Sequence, residues 1–363
     1  MKYFLSFIAS LGLALVPSIT LAHEAYVIPS ETFWEEMARP FSQPSFAALS
    51  TGENLSIVAS IFIIVFIGLF LNFLFRRSRT GQRFHSFFER FAHYGPLLVR
   101  FALAAALFFS AYTNTFLGPE LPLEALPFAI LARILLLLAS AMIAFGFLTE
   151  LATLFVLGIF TLAMIVVGPY MVNYANYFGE LLVLLLFGMR VFSVDKYIFG
   201  KLKHLRSLEK YETLIVRGFY GLGLIYAAVT VKLLHPDLTL YVVNHYNLTQ
   251  FHWLFPSDPL LVALGAGIVE IVIGIFIIIG FEMRLTVLIS LFYLTLSLFF
   301  FGEQVWPHLI LYGISLNLLI QPERFTIDHL LFKHHRKEHS WWKRIFHAHT
   351  HKGKSIHHEE KNA

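Results

Sequence analysis

Three ionisable residues stand in apolar runs where a charge is costly. Glu270 lies midway along the run 259–281, about 16 Å from either end at about 1.5 Å per residue. A charge near a bilayer centre costs about 2.5–3.5 kcal/mol on insertion scales, so each one calls for a partner or a task. Ala263, Gly267, Glu270 and Gly274 share one helical face with the carboxylate, and small residues let a neighbouring helix approach closely. This stripe predicts that Glu270 points into a bundle. Lys232 shares a face with Gly221, Ile225 and Ala228, and His308 shares one with Tyr312 and Ser315. The expected chemistry is a quinone head-group or proton site: Glu270 accepts a proton while His308 and Lys232 hold a carbonyl oxygen. The alternative is an ion pair that pins two helices, or a Lys232 that extends its ammonium to the interface.

Other charges have plainer readings. Arg100 and Arg217 fall near equivalent ends of two helices, where arginines anchor to lipid phosphates. Glu150 and Arg284 occupy equivalent turns with opposite sign and could pair or be solvated separately. Arg133 and Glu180 sit about one turn inside the opposite face, where a structural salt bridge is expected.

The elements that position these residues follow from composition. The chain has 363 residues, 57% hydrophobic and only 14% charged, against about 25% charged in soluble domains. The excess comes in blocks of about 20 residues, the length of a membrane-crossing helix. Lys2, the apolar run from Phe4 to Val16 and Thr20-Leu21-Ala22 read as a signal peptide over 1–22, ahead of an exported segment, 23–54. Nine spans are then expected, near 55–75, 96–117, 128–147, 151–168, 177–193, 213–234, 259–281, 285–302 and 305–321. Arg76, Arg77, Arg79, Arg83 and Arg90 follow the first span, Lys196 to Lys210 follow the fifth, and nine more Lys or Arg lie from Arg324 onward. By the positive-inside rule the N-terminus is outside a bacterial-type inner membrane and the C-terminus cytoplasmic.

The chain also aligns with itself. PLLVRFALAAALFFSAYTNTFLGPE (96–120) lies over TLIVRGFYGLGLIYAAVTVKLLHPD (213–237), setting Arg100 on Arg217. Gly146-Phe147 lies over Gly280-Phe281, and Phe192-Ser193-Val194-Asp195 over Phe325-Thr326-Ile327-Asp328. The fold class expected is all-α: a lead transmembrane helix with its basic linker (55–95), then two tandem parallel-repeat four-helix units, 96–199 and 200–333, with a tail over 334–363. The second copy has a longer first outer loop around Leu238–Pro256, whose aromatic stretch is expected to lie on the outer leaflet.

The second unit resembles the DoxX-like membrane family over residues 210–322. Arg217-Gly218 opens its first helix and Lys232 closes it, Glu270-x-x-x-Gly274 marks the second, and Gly280-Phe281-x-x-Arg284 the next turn. The first unit, over 95–195, is a degenerate match, with Thr115, Leu136, Glu150 and Glu180 at the places of Lys232, Glu270, Arg284 and His308. Better-characterised relatives include subunits of a thiosulfate:quinone oxidoreductase and a membrane partner of thiol-stress enzymes. The resemblance implies a quinone-linked redox component working with a partner protein, with Arg217, Arg284 and Tyr312 as further cofactor contacts. The rival classes are a transporter or metal-handling protein and a scaffold.

Zero cysteines exclude disulfide relays, thiolate nucleophiles, Cys-ligated clusters and covalent haem. Nine of the 17 histidines lie from His329 onward, and His347, His349 and His351 could hold a divalent metal in a basic, lipid-facing tail. Trp341, Trp342 and Phe346 suggest a short surface segment there. His23, if exposed by cleavage, could chelate copper with help from His235, His245 or His252. No phosphate loop or dinucleotide fingerprint appears, and nothing supports nucleic-acid binding.

Overall fold

The computed structural model describes residues 28, 30–38, 43–187, 193–198, 210–250, 256–302, 304–321 and 325–331. The expected signal peptide, His23, His252 and the tail histidines His347, His349 and His351 lie outside the described residues.

The described chain is helical. In order it forms α1 (Ser30–Ala38), α2 (Gly52–Arg77), α3 (Arg79–Glu89), α4 (Gly95–Tyr112), α5 (Ala129–Phe145), α6 (Thr149–Val167), α7 (Ala175–Phe187) and α8 (Val194–Ile198). These are followed by α9 (Glu212–Ala227), α10 (Pro236–His245), α11 (Pro259–Ile279), α12 (Met283–Phe301) and α13 (Leu309–Ile320). One departure from an all-helical chain is a short antiparallel ribbon, β1 (Thr115–Phe116) with β2 (Gly118–Pro122). Six helical runs among the described residues are long and apolar enough to cross a membrane: Gly52–Arg77, Arg79–Tyr112, Thr149–Phe187, Glu212–Leu234, Pro259–Ile279 and Met283–Phe301. The protein is a multi-pass membrane protein. Helix lies within each of the nine expected spans, but α6 and α7 belong to one continuous run, and α5 and the run Trp306–Ile320 are shorter.

Eight of these helices pack in cyclic order. Each of α4, α5, α6, α7, α9, α11, α12 and α13 rests against the next, and α13 returns to α4. The expectation of two four-helix bundles thus meets a single ring, whose halves join at α7 with α9 and at α13 with α4. Helix α2 stands beside it, tied at both ends. Asn54 Nδ2 donates to Asp258 Oδ2 at 2.6 Å, and Asn72 Nδ2 to Glu282 Oε2 at 2.6 Å. Between these ties residues 59–68 are all exposed and almost all apolar, the surface a lipid-facing helix presents.

Two turns are built alike. Gly146 and Gly280 end their helices with φ of 63° and 67°, a conformation glycine adopts without a Cβ penalty. Two residues on, Leu148 and Glu282 also have positive φ. In each case an aspartate from a later segment caps the helix that starts there. Asp195 accepts from Leu148 N (2.7 Å) and Thr149 N (3.2 Å), and Asp328 accepts from Glu282 N (2.8 Å) and Met283 N (2.9 Å). Carboxylates at these positions satisfy orphan amides and complement the helix dipole.

The connections at the opposite end of the ring differ. Where the first half has the β1–β2 ribbon, the second has α10, which packs against α11 and buries Leu238, Val242 and Val243. The longer loop therefore contributes a helix packed on the ring in addition to surface residues.

Candidate functional site

Lys232 and Glu270 meet. Lys232 Nζ lies 3.0 Å from Glu270 Oε1, the lysine side chain 7% exposed and the glutamate 29%. The approach depends on small residues. A Cβ on Gly221 would lie 2.5 Å from Gly274 O, and one on Gly274 2.8 Å from Gly221 O, so α9 and α11 touch backbone to backbone there. Two turns further, a Cβ on Gly267 would strike Leu233 Cδ2 at 2.7 Å. Lys232 stands in Ala228–Leu234, a π-helical continuation of α9. Such wide turns often occur at functional sites because they re-aim side chains. The stripe read from the sequence is the surface that faces α9.

His308 is 2% exposed at the head of α13, and its Nδ1 lies 3.0 Å from Gln304 O. One turn along, Tyr312 Oη lies 3.0 Å from Thr295 Oγ1 on α12. One turn further still, Tyr220 Oη on α9 contacts Ser290 Oγ (3.1 Å) and Ser315 Oγ (3.0 Å). These hydroxyls from three helices sit in the interior of the second half. Tyr220, Ser290 and Thr295 form no motif in the sequence, because scattered Ser, Thr and Tyr in apolar helices read as ordinary packing.

Arg217 and Arg284 are held at the other end of the ring. Arg217 is fully buried and donates through NH2 to Phe325 O at 2.7 Å, beside the Gly280 turn. Its role there is to satisfy the backbone of the segment bearing Asp328, and lipid anchoring does not describe it. Arg284 donates to Leu319 O (3.1 Å), pairs with Glu89 on α3 (3.4 Å) and contacts His85 Nδ1. It thereby fastens α3 under α13, and its ion-pair partner is Glu89 instead of Glu150. The expected Arg133–Glu180 bridge is not formed either. Arg133 Nε donates to Ala111 O at 2.9 Å, a carbonyl in the last turn of α4, and Glu180 Oε1 is buried without a hydrogen-bond partner.

Two further clusters were not anticipated. Arg76, read from the sequence only as an inside-positive charge, is buried between Glu282 Oε2 (3.1 Å) and Asp328 Oδ2 (2.7 Å). Burial pushes the Glu282 carboxyl up, and the Arg76 guanidinium opposes that shift. At the opposite end, Glu120 on β2 is 1% exposed. Its Oε1 accepts from Tyr170 (3.0 Å) and Tyr174, while Oε2 has no partner. Burial pushes its carboxyl up to about 7. Trp34 of α1 donates to Glu120 O at 3.0 Å and packs edge-on against Tyr170, so α1 is fastened over this carboxylate. The spacing of Tyr170, Tyr174 and Tyr177 on one helical face was the available signal.

Among the described residues no group of three or more His, Asp or Glu could hold a metal ion. The chain matches no protein-family model, no curated protein and no solved structure.

Proposed function

We propose that the chain is a DoxX-like inner-membrane protein, a quinone-linked redox component that works with a partner carrying the electron donor. The observation that carries this reading is the Lys232–Glu270 pair at 3.0 Å, set among apolar helices on a π-helical turn. Intramembrane ionisable residues are functional candidates by default, and the second half carries further polar groups of the kind a small oxygen-bearing head requires: His308, Tyr312 and Thr295. A bound quinone would supply two-electron redox chemistry; the chain would supply orientation and a proton-accepting carboxylate at Glu270. Arg217 and Arg284, engaged at the Gly280 turn, drop out of the binding set.

The same reading gives nine spans, an outside N-terminus and two tandem parallel units. It is supported by the matching Gly146–Asp195 and Gly280–Asp328 turns and by the cyclic helix order. The test is the quinone content of the full chain purified in mild detergent, beside Glu270→Gln at equal folded yield. Near-stoichiometric quinone lost in the variant is the expected result. Lipid-background quinone in both would leave a helix-pinning ion pair and sink the redox role.

A further inference from the structure

Helix α1 is held at one residue of the first half and reaches into the second. Trp34 donates through Nε1 to the backbone oxygen of Glu120 at 3.0 Å, and its ring centre lies 5.0 Å from that of Tyr170. Phe33, fully buried, packs edge-on to the same tyrosine at 5.6 Å. Phe33 and Ile28 also join Leu238 and Val242 of α10 in an apolar cluster. That cluster includes Val231 of the π-helical turn, the residue before Lys232. The segment is therefore a strap from the β1–β2 ribbon to the turn that carries Lys232.

The anchor of this strap suits one charge state. Glu120 Oε1 accepts from both Tyr170 (3.0 Å) and Tyr174, which fills its two lone-pair directions. Oε2 is buried with no partner, and a Cβ on Gly118 would lie only 2.5 Å from it. A proton on this carboxyl therefore sits on Oε2. Without it, Oε2 carries charge that no protein donor offsets and that burial keeps from bulk water, a costly state. Tyr170 transmits the difference, because it donates to the carboxyl and is also the surface on which Phe33 and Trp34 rest. Tyr177 on α7 lies within electrostatic reach of Glu120. Beyond β2, Glu124 is exposed and bonded to Asn114. Helix α1 carries Glu31 and Glu35, both exposed, and the half-buried Glu36. Helix α10, packed on α1, carries exposed Asp237 and His245, and His235 at its head, which burial lowers.

We propose that Glu120 is a buried proton-binding site whose occupied form fastens α1 across the ring, and whose loss of the proton frees α1 from the ribbon and from the Lys232 turn. The proton leaves Oε2 for water as α1 lifts and returns to Oε2 as it closes; nothing is oxidised or reduced. The device is independent of what the Lys232–Glu270 pair handles. With α1 lifted the carboxyl titrates near its ordinary 4.5, and with α1 closed at about 7. The open-to-closed ratio therefore grows between those values, by about two orders of magnitude, and is level above them.

Hydrogen exchange of the full chain in lipid nanodiscs, read by mass spectrometry from pH 4.5 to 8.5 and corrected for the intrinsic rate, measures this opening. Protection of α1 is expected to fall by about two orders of magnitude up to about pH 7 and no further. Residues 228–234 should lose protection in parallel, since the strap rests on Val231, whereas α3 at the other end of the ring should not. Glu120→Gln keeps a neutral group under α1 and should hold it protected across the range. Trp34→Phe removes only the donor to the Glu120 oxygen, so it should lower α1 protection at every pH and keep the slope. Flat α1 protection in wild type, an unaltered slope in Glu120→Gln, or a slope that residues 228–234 do not share overturns the proposal. A slope lost in His235→Gln would assign the sensor to that imidazole and overturn it as well.

Discussion

The two halves of the ring differ most in what fills their interiors. In the second half, Tyr220 bonds to Ser290 and to Ser315, Tyr312 bonds to Thr295, and Lys232 pairs with Glu270. The alignment that sets Arg100 on Arg217 puts Leu103 opposite Tyr220, and the one that sets Gly146 on Gly280 puts Val156 opposite Ser290. Setting Glu180 on His308 puts Leu184 and Phe187 opposite Tyr312 and Ser315. Leu103, Val156, Leu184 and Phe187 are all buried in the main apolar core. At these positions the first half packs dry and the second pairs polar groups across helices, while the first half keeps its buried carboxylates elsewhere, at Glu120 and Glu180. The comparison therefore rests on hydroxyls that link three helices in one half and have apolar counterparts in the other, and on an ion pair whose places in the other hold Thr115 and Leu136.

The turns repeat the contrast. Both are capped by an aspartate, yet the first carries Leu148 at the positive-φ position and the second carries Glu282, which draws in Arg76 and Asn72 from α2. A turn that only caps a helix has become a junction for the lead helix.

The largest effect is expected at that junction. Arg76→Ala leaves Glu282 and Asp328 buried side by side without their cation, and breaking such a network costs about 3–5 kcal/mol. The midpoint of thermal unfolding in detergent should fall sharply. Arg76→Leu with Glu282→Leu, which gives the second turn the character of the first, should recover most of the loss. No recovery would show that the two turns are not interchangeable.

Next comes pH. Glu120 in the folded protein titrates near 7, above its ordinary value of 4.5, so the fold favours its neutral form. Stability is full below about 4.5, falls as the pH rises toward 7, and is flat above it, a loss of about 3 kcal/mol. Glu120→Gln should flatten this dependence in unfolding measurements between pH 4.5 and 8. Asp237, its alignment counterpart in the second half, is exposed. A profile unaltered by Glu120→Gln would contradict the account of the Glu120 cluster in the first half.

Glu270→Gln leaves Lys232 facing a neutral amide, at a cost of about 2 kcal/mol for a pair that is partly exposed. Replacing both, as Lys232→Met with Glu270→Leu, should restore stability to near wild type and still abolish ligand binding. Recovery of binding together with stability would mean that the pair only pins helices. The smallest effect is Tyr220→Phe, which removes two hydroxyl contacts and should cost about 1–2 kcal/mol by chemical unfolding. Its counterpart Leu103→Ala is a cavity mutation, and its penalty should follow the volume left empty.

What could be read in the sequence was periodic or repeated. The stripe of Ala263, Gly267, Glu270 and Gly274 is a helical period, and it does face α9. The glycine turns were legible because the same dipeptide recurs, and their aspartates because Ser193-Val194-Asp195 and Thr326-Ile327-Asp328 recur with them. Three things were not legible, each for its own reason. Arg76 was absorbed into the positive-inside count, since the rule registers a charge and says nothing of whether it turns back into the protein. Arg133 and Glu180 were paired by depth alone, whereas the guanidinium of Arg133 goes to the Ala111 carbonyl at the end of α4. The hydroxyl contacts of Tyr220 join helices far apart in the chain, and no local pattern announces them.

The central claim is that the second half of the ring holds the ligand and the first half does not. A photoreactive azido-quinone, incubated with the full chain in nanodiscs, irradiated and mapped by peptide mass spectrometry, addresses this directly. Adducts should concentrate on α9, α11, α12 and α13, compete with unlabelled quinol, and disappear in Glu270→Gln. Adducts concentrated on α4 to α7, or spread over lipid-facing α2 without competition, would contradict it.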